Sequence, residues 1–437
     1  MSDIVYPILV EVACSRGFNK LKQRSEVFQY VHAFVDERQE IPIGTIFTIP
    51  VKYVVEVQLC TNIDQFTPRS GLQFNFYELH DAAPEEETVN HGGEEVDIAQ
   101  HWLLPSRELH GLWESLIYDA EIKDGMLSFA ETSMLFSRKG VSTNLVTCNR
   151  LALFHGPPGT GKTSLCKAIA QKLSIRLNEH YTHSHLVEIN SHSLFSRWFS
   201  ESGRLVKKVF GEITDLLQDP KCLVCVLVDE IESIVYAREK ISSNEPSDSI
   251  RVVNAVLTQL DRIRRYSNVF ILATSNLTES IDAAFLDRAD FVQYIGYPKA
   301  QGIYEIYRMA LHDLIEVGII KREETSISSQ TLSKSWLGEN IPPHAEAIKI
   351  DRPPCIVLEM LLQVVELSTG LSGRTLRKIP FLAHAIFVKK ESDSLLNFLS
   401  AMRQAIRKVR SDNELLGKDM KTLTEKVNGL HLDENVL

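Results

Sequence analysis

The stretch Arg150-Leu-Ala-Leu-Phe-His-Gly-Pro-Pro-Gly-Thr-Gly-Lys-Thr163 decides how the rest of the chain is read. Its first half is an apolar strand. Its second half matches G-x-x-x-x-G-K-[ST] on Gly156, Gly161, Lys162 and Thr163. Glycines let the backbone close tightly, so that its N–H groups converge on phosphate oxygens. The segment from Gly156 through Pro157, Pro158, Gly159, Thr160 and Gly161 is the expected cradle, completed by Lys162, Thr163 and Ser164 at the start of a helix. A helix N-terminus adds a positive dipole end. The lysine is expected on the β- and γ-phosphates of a nucleoside triphosphate, and the Thr163 hydroxyl on Mg²⁺.

Two further strand tips extend this site. The apolar run Cys222 to Val228 ends in Asp229-Glu230. Placed beside the phosphate-loop strand, Asp229 is expected to hold the metal's water shell and Glu230 to polarise the attacking water. The run Val269 to Ala273 ends in Thr274-Ser275-Asn276, and Asn276 is positioned to sense the γ-phosphate. Strand-like runs also occur at Leu186 to Ile189 and Phe291 to Ile295, with helical patterns between. Strands alternating with helices predict an α/β fold, a parallel sheet covered on both faces.

Around this core we expect four segments. Residues 1–80 carry short alternating apolar runs and a helical stretch at Glu26 to Asp36, a small α+β domain. Residues 81–97 hold seven acids and no Lys or Arg, with Pro84 and Gly92-Gly93, and read as an acidic linker. Residues 98–298 form the large phosphate-binding domain. Residues 299–437 read as a small all-helical domain with a polar, Pro-containing insertion near 325–350 and an apolar-spaced tail from Leu416. Pro380 should kink or interrupt its helix.

Composition bounds the function. The 437 residues are 44% hydrophobic and 24% charged, with 47 Lys and Arg against 57 Asp and Glu, net −10. The acidic balance disfavours direct nucleic-acid binding. The longest uncharged apolar run, Cys222 to Val228, is too short to cross a membrane. Seven sparse cysteines argue against a disulfide scaffold and fit cytosol or nucleus. Cys222 and Cys225 form a CxxC inside a strand and read as core. His180, His183, His185 and His192 read as surface or turn residues rather than a metal cluster.

The three strand tips together resemble an AAA+ ATPase core. His101-Trp-Leu-Leu-Pro105, Gly111-Leu-Trp-Glu-Ser-Leu-Ile-Tyr-Asp119, Ile189-Asn-Ser-His-Ser-Leu-Phe195, Arg197-Trp-Phe-Ser-Glu-Ser-Gly203 and Gly370-Leu-Ser-Gly-Arg374 are similar to the pachytene checkpoint protein two family. The resemblance is dense over about 98–315 and 365–390. It implies an ATP- and Mg²⁺-dependent homo-hexamer whose helical lid follows the large domain. Arg288, in Phe285-Leu-Asp-Arg-Ala289, matches the finger that completes a neighbour's site; an ion pair with Asp287 or Asp290 is the other reading. Arg374 matches the lid's sensor arginine, and Tyr118 the adenine-side position. Trp198 and Phe199 match the pore-loop aromatics that grip a polypeptide, with Asn244 to Arg251 a weaker second loop. The resemblance further implies HORMA-domain substrates converted from closed to open state, a comet-type adaptor that presents the substrate, recruitment of substrate or adaptor by residues 1–80, and roles at the spindle checkpoint and on meiotic chromosomes, in nucleus and cytoplasm. A nucleotide-gated clamp that does not thread its partner is the alternative.

Overall fold

The computed structural model describes residues 8–37, 45–60, 71–91, 94–118, 120–191, 202–232, 247–277, 283–321, 341, 344 and 356–433. The chain divides into two compact units, one of Met1–Pro157 with Gly161–Ile295, the other of Pro158–Thr160 with Gly296–Leu437.

The first unit contains two sheets. The smaller is built from β1 (Ile8–Cys14), β2 (Ile46–Phe47), β3 (Val54–Cys60) and β4 (Leu72–Glu78), in the order β2-β3-β1-β4. Strand β1 runs parallel to β4 and antiparallel to β3. Helix α1 (Lys20–Asp36) lays Val27, Val31 and Val35 against Val10, Val12 and Val57; the i, i+4 spacing puts the three valines on one stripe. This is the α+β arrangement expected for the first 80 residues.

The larger sheet comprises β5 (Glu85–His91), β6 (Glu94–Leu104), β7 (Leu151–His155), β8 (His183–Asn190), β9 (Cys222–Asp229), β10 (Val269–Ser275) and β11 (Phe291–Tyr294). The order is β11-β7-β10-β9-β8-β6-β5. Five strands are parallel, as expected. Strands β5 and β6 correct the reading of 81–97 as a linker: they form an antiparallel hairpin that extends the sheet past β8. The acids do not prevent pairing because on an edge strand most of them face water; Glu85 and Glu86 are exposed.

Alternation along the strands sends side chains to two cores. On one face Leu153, Val187, Val226 and Ile271 meet α5 (Ser202–Leu217) and α6 (Ser247–Ile263) through Val209, Phe210, Ile213 and Leu260. On the other, Phe154, Leu186, Leu227 and Leu272 meet α3 (Ala120–Arg138) and α4 (Lys162–Arg176) through Met126, Leu165, Ile169 and Leu173. The short α2 (Leu112–Ser115) precedes α3, and α7 (Ala283–Leu286) precedes β11. Cys222 and Cys225 are buried core residues, as expected, and burial pushes their thiols up to about 11 and about 12.

The second unit is helical: α8 (Ala300–Glu316), α9 (Ile356–Leu367), α10 (Gly373–Ala383) and α11 (Leu395–Asp433). Helix α10 runs through Pro380 and passes into a π-helical turn at His384–Val388, so the expected interruption falls four residues later. The tail continues α11 as one helix. The insertion near 325–350 lies almost wholly outside the described residues. No helix among the described residues is long and apolar enough to cross a membrane.

A candidate nucleotide site at three strand tips

Strand β10 is inserted between β7 and β9, so β9 stands one strand away from the phosphate-loop strand rather than beside it as expected; the three strands run parallel, and their C-terminal ends still lie together at the start of α4. This is where open parallel sheets present ligand sites. The loop after β7 turns under Ile295. A Cβ on Gly156, whose φ is +141°, would stand 2.2 Å from the Ile295 carbonyl oxygen, so only glycine fits. Gly161, at φ +91°, precedes α4, and a Cβ there would meet the Tyr118 hydroxyl at 2.5 Å. Tyr118 Oη donates to the Gly161 carbonyl at 3.0 Å, which brings this expected site residue against the loop.

Lys162 is buried, and its Nζ donates to the carbonyls of Gly156 and Pro157 at 2.8 and 2.9 Å. The ammonium therefore sits inside the curve of the loop. Burial holds its pKa below the usual lysine value despite Glu232, Asp229 and Glu230 nearby. Thr163 Oγ1 donates to Asp229 Oδ1 at 2.9 Å, and the same carboxylate oxygen accepts from Thr274. Glu230 takes a left-handed backbone, φ +52°, and its N–H donates to Thr274 Oγ1 at 3.1 Å. Such a conformation in a non-glycine residue is a strained placement typical of functional positions. Asn276 Nδ2 donates to Glu230 Oε1 at 3.4 Å.

Glu232, two residues beyond Glu230, escaped the sequence reading. It is buried, and its Oε1 accepts the Asn276 N–H at 3.0 Å, anchoring the tip of β10 to that of β9. The available signal was a third acid, Glu232, set close behind Asp229 and Glu230 just past the end of β9. Thr274 likewise bridges Asp229 and the Glu230 N–H.

Arg288 finds a partner beyond the flanking Asp287 and Asp290, on α6. Its guanidinium forks onto Asp261 of α6, Nε to Oδ1 and Nη2 to Oδ2, both 3.0 Å. Within the second unit Arg374 lies in the first turn of α10, where Ser372 caps the helix and the Arg374 N–H donates to the Gly159 carbonyl at 3.0 Å. Trp198 and Phe199 lie outside the described residues, as does His192. Of the second loop, the residues from Ser247 onward begin α6 and the rest lie outside.

Among the described residues one group has metal-compatible spacing: Glu87, His101 and Glu212. Lys208 Nζ stands 3.1 Å from Glu87 and supplies the positive charge there, so we read it as an ion cluster. Of the histidines read as surface residues, His185 is instead half-buried on β8. Burial and the neighbouring Glu87 push the Glu212 carboxyl up from 4.5 to about 7. The folded state then holds an extra proton between those values, so this group's stabilisation is lost as pH rises through about 7. Glu212→Gln is expected to melt higher than the parental protein at pH 7.5 and level with it only below the unfolded value of 4.5. Thermal melts at pH 7.5 and below pH 4.5 check this; equal differences at both would contradict it.

A phosphate loop on β7, an acidic pair on β9 and an asparagine on β10 define an AAA+ ATPase. A family profile described as "ATPase family associated with various cellular activities (AAA)" matches residues 152–297, and one described as "TRIP13-like, AAA+ ATPase lid C-terminal domain" matches residues 299–410. The pachytene checkpoint protein 2 homolog of Rattus norvegicus is 48% identical over 338 residues, 77% of this chain and 76% of that protein. The Danio rerio homolog is 49% identical over 348 residues, 79% of each. The solved structure titled "Structure of C. elegans PCH-2" superposes with a TM-score of 0.75 at 33% identity, covering 93% of this chain and 100% of that one. The chain belongs to the pachytene checkpoint protein 2 family of AAA+ ATPases.

The donor set fits the ligands such an ATPase takes. A buried ammonium held at a glycine-rich loop that opens an α-helix suits a polyphosphate, whose oxygens can take the ammonium protons now given to the Gly156 and Pro157 carbonyls. A hydroxyl paired with a carboxylate offers the hard oxygen ligands that Mg²⁺ prefers.

Proposed function

We propose that this chain is a Mg²⁺-ATP-driven, homo-hexameric remodeler of HORMA-domain proteins. Gly156 to Ser164 bind the phosphates, Lys162 neutralises the β- and γ-oxygens, and Thr163 and Asp229 hold Mg²⁺, the latter through water. Bound Mg²⁺ supplies charge neutralisation at the phosphates. Glu230 orients and deprotonates the attacking water, and Asn276, hydrogen-bonded to Glu230, reports on the γ-phosphate. Arg288 is offered to a neighbouring subunit's site by leaving Asp261, Arg374 couples nucleotide state to the helical unit, and Tyr118 lies on the adenine side. Trp198 and Phe199 grip the substrate polypeptide, and residues 1–80 recruit the substrate or a comet-type adaptor. The role belongs to the spindle checkpoint and meiotic chromosomes, in nucleus and cytoplasm.

The observation that supports the hydrolytic part is the linked set Thr163–Asp229–Thr274–Glu230–Asn276, four hydrogen bonds that hold two adjacent acidic residues, Asp229 and Glu230, beside the start of the phosphate-loop helix. Family membership supports the rest. Trp198→Ala separates the motor from a nucleotide-gated clamp. ATP turnover is expected to stay within about threefold of parental, because aromatic gripping acts on substrate and not on phosphate, while conversion of a closed HORMA protein falls at least about tenfold. Measured together, unchanged conversion would support the clamp.

A further inference from the structure

Helix α4 begins at the phosphate loop and ends on the N-terminal sheet. Its last turns carry Lys172 and Arg176, both nearly buried. Each of the three ammonium protons of Lys172 has an acceptor: Glu11 Oε2 at 2.6 Å, Glu114 Oε1 at 2.9 Å and Gln58 Oε1 at 3.0 Å. Arg176 reaches Glu11 Oε1 at 3.4 Å and Glu131 Oε1 at 2.8 Å. Glu11 lies on β1 and Gln58 on β3, and the Glu11 side chain is fully buried. One carboxylate of the small sheet therefore bridges two cations of the phosphate-loop helix.

Two other contacts fasten the same helix. Gln171 exchanges two hydrogen bonds with the Ser106 backbone, each 2.9 Å. The segment Leu112 to Tyr118 spans α4 lengthwise: Glu114 holds Lys172 near one end and the Tyr118 hydroxyl holds the Gly161 carbonyl at the other. Gln58 Nε2 donates to Glu114 at 2.8 Å, so the small sheet also holds this strap. Lys123, donating to the Trp113 and Leu116 carbonyls, fixes its middle. An α-helix transmits axial displacement as a rigid body, and Lys162 and Thr163 form its first turn.

We propose that Glu11 is a positioning residue for ATP hydrolysis: through Lys172 and Arg176, the N-terminal sheet sets where the phosphate-loop helix presents Lys162 and Thr163. The proposal rests on the nucleotide-site reading above. It makes residues 1–80 part of the ATPase machinery as well as a recognition module, with a direct route by which an occupied N-terminal sheet changes turnover.

Full-length Glu11→Gln tests it. The local acids outnumber the bases three to two, so neutralising one leaves the group balanced. The expected result is a folded protein whose kcat for ATP falls about tenfold with KM within about threefold, because a small misplacement of reacting groups acts on the transition state more than on binding. Glu11→Asp keeps the charge and the fold but draws the carboxylate back by one methylene, and kcat should fall about threefold. Glu11→Gln with Lys172→Met removes the pair together and should match the single variant. A lowered melting temperature with kcat within twofold of parental in any folded variant would make the group structural glue and overturn the proposal. Glu11→Asp decides alone if the others do not fold. Lys162→Ala run in parallel distinguishes failures: if it too turns over normally, the nucleotide-site reading has failed, and otherwise only the positioning role has.

Discussion

Glu230→Gln is expected to lower ATP turnover by about 10²- to 10⁴-fold while ATP still binds, the range associated with losing a positioned general base. The amide keeps the size of the side chain and can still meet Asn276 Nδ2 through its oxygen. The backbone that aims it, at φ +52° and tied to Thr274, is untouched. What disappears is the capacity to take a proton from water. Single-turnover hydrolysis with radiolabelled ATP, alongside a fluorescent-nucleotide titration, separates the two effects. Turnover within threefold of parental would remove Glu230 from the reaction, and lost binding would mean that it serves the fold of the site. On the proposed motor, the arrested protein should also retain substrate on the ring.

Lys162→Ala is expected to weaken ATP binding on the order of 10- to 100-fold, the cost of a lost charge-assisted hydrogen bond. The ammonium is buried within hydrogen-bond reach of Gly156 and Pro157, and burial already holds its pKa down, so it is partly freed from water before any phosphate arrives. Lys162→Met keeps the aliphatic stem and serves as the packing control. Equal weakening in both variants assigns the effect to charge. Unchanged affinity in both would contradict the assignment of this loop to phosphate.

Much of this was legible because local spacing carries it. The run from Arg150 to Thr163 specifies strand, loop and helix in one sentence of sequence, and the polar tips at Asp229 and Asn276 announce themselves by ending apolar strands. The hairpin of β5 and β6 was misread because acid content was weighed above pattern. Val89 pairs with Val96, and the sequence between them holds Gly92-Gly93, a dipeptide favoured in hairpin connections and a signal available from the sequence alone. Lys172 and Arg176 illustrate a different limit. Four residues apart on a helix, they carry no local sign of burial, and the carboxylate they share is 161 and 165 residues away. Nothing within a local window distinguishes a lysine facing water from one enclosed by a distant glutamate. The pairing of Arg288 with Asp261 was hidden for the same reason: the flanking aspartates were visible in the sequence, and an acid on another helix was not.

The bridge from Glu11 to Lys172 and Arg176 bears on modularity. Recognition modules of motor proteins are commonly thought of as exchangeable heads, grafted onto a conserved engine to redirect it. Here a graft cut after residue 80 would take away Glu11 and Gln58, and with them the acceptors that tie Lys172 and Arg176 to the small sheet, leaving those two side chains only Glu114 and Glu131. Head and engine are therefore expected to diverge in concert across relatives, and a working chimera must carry its matching acid along with its head.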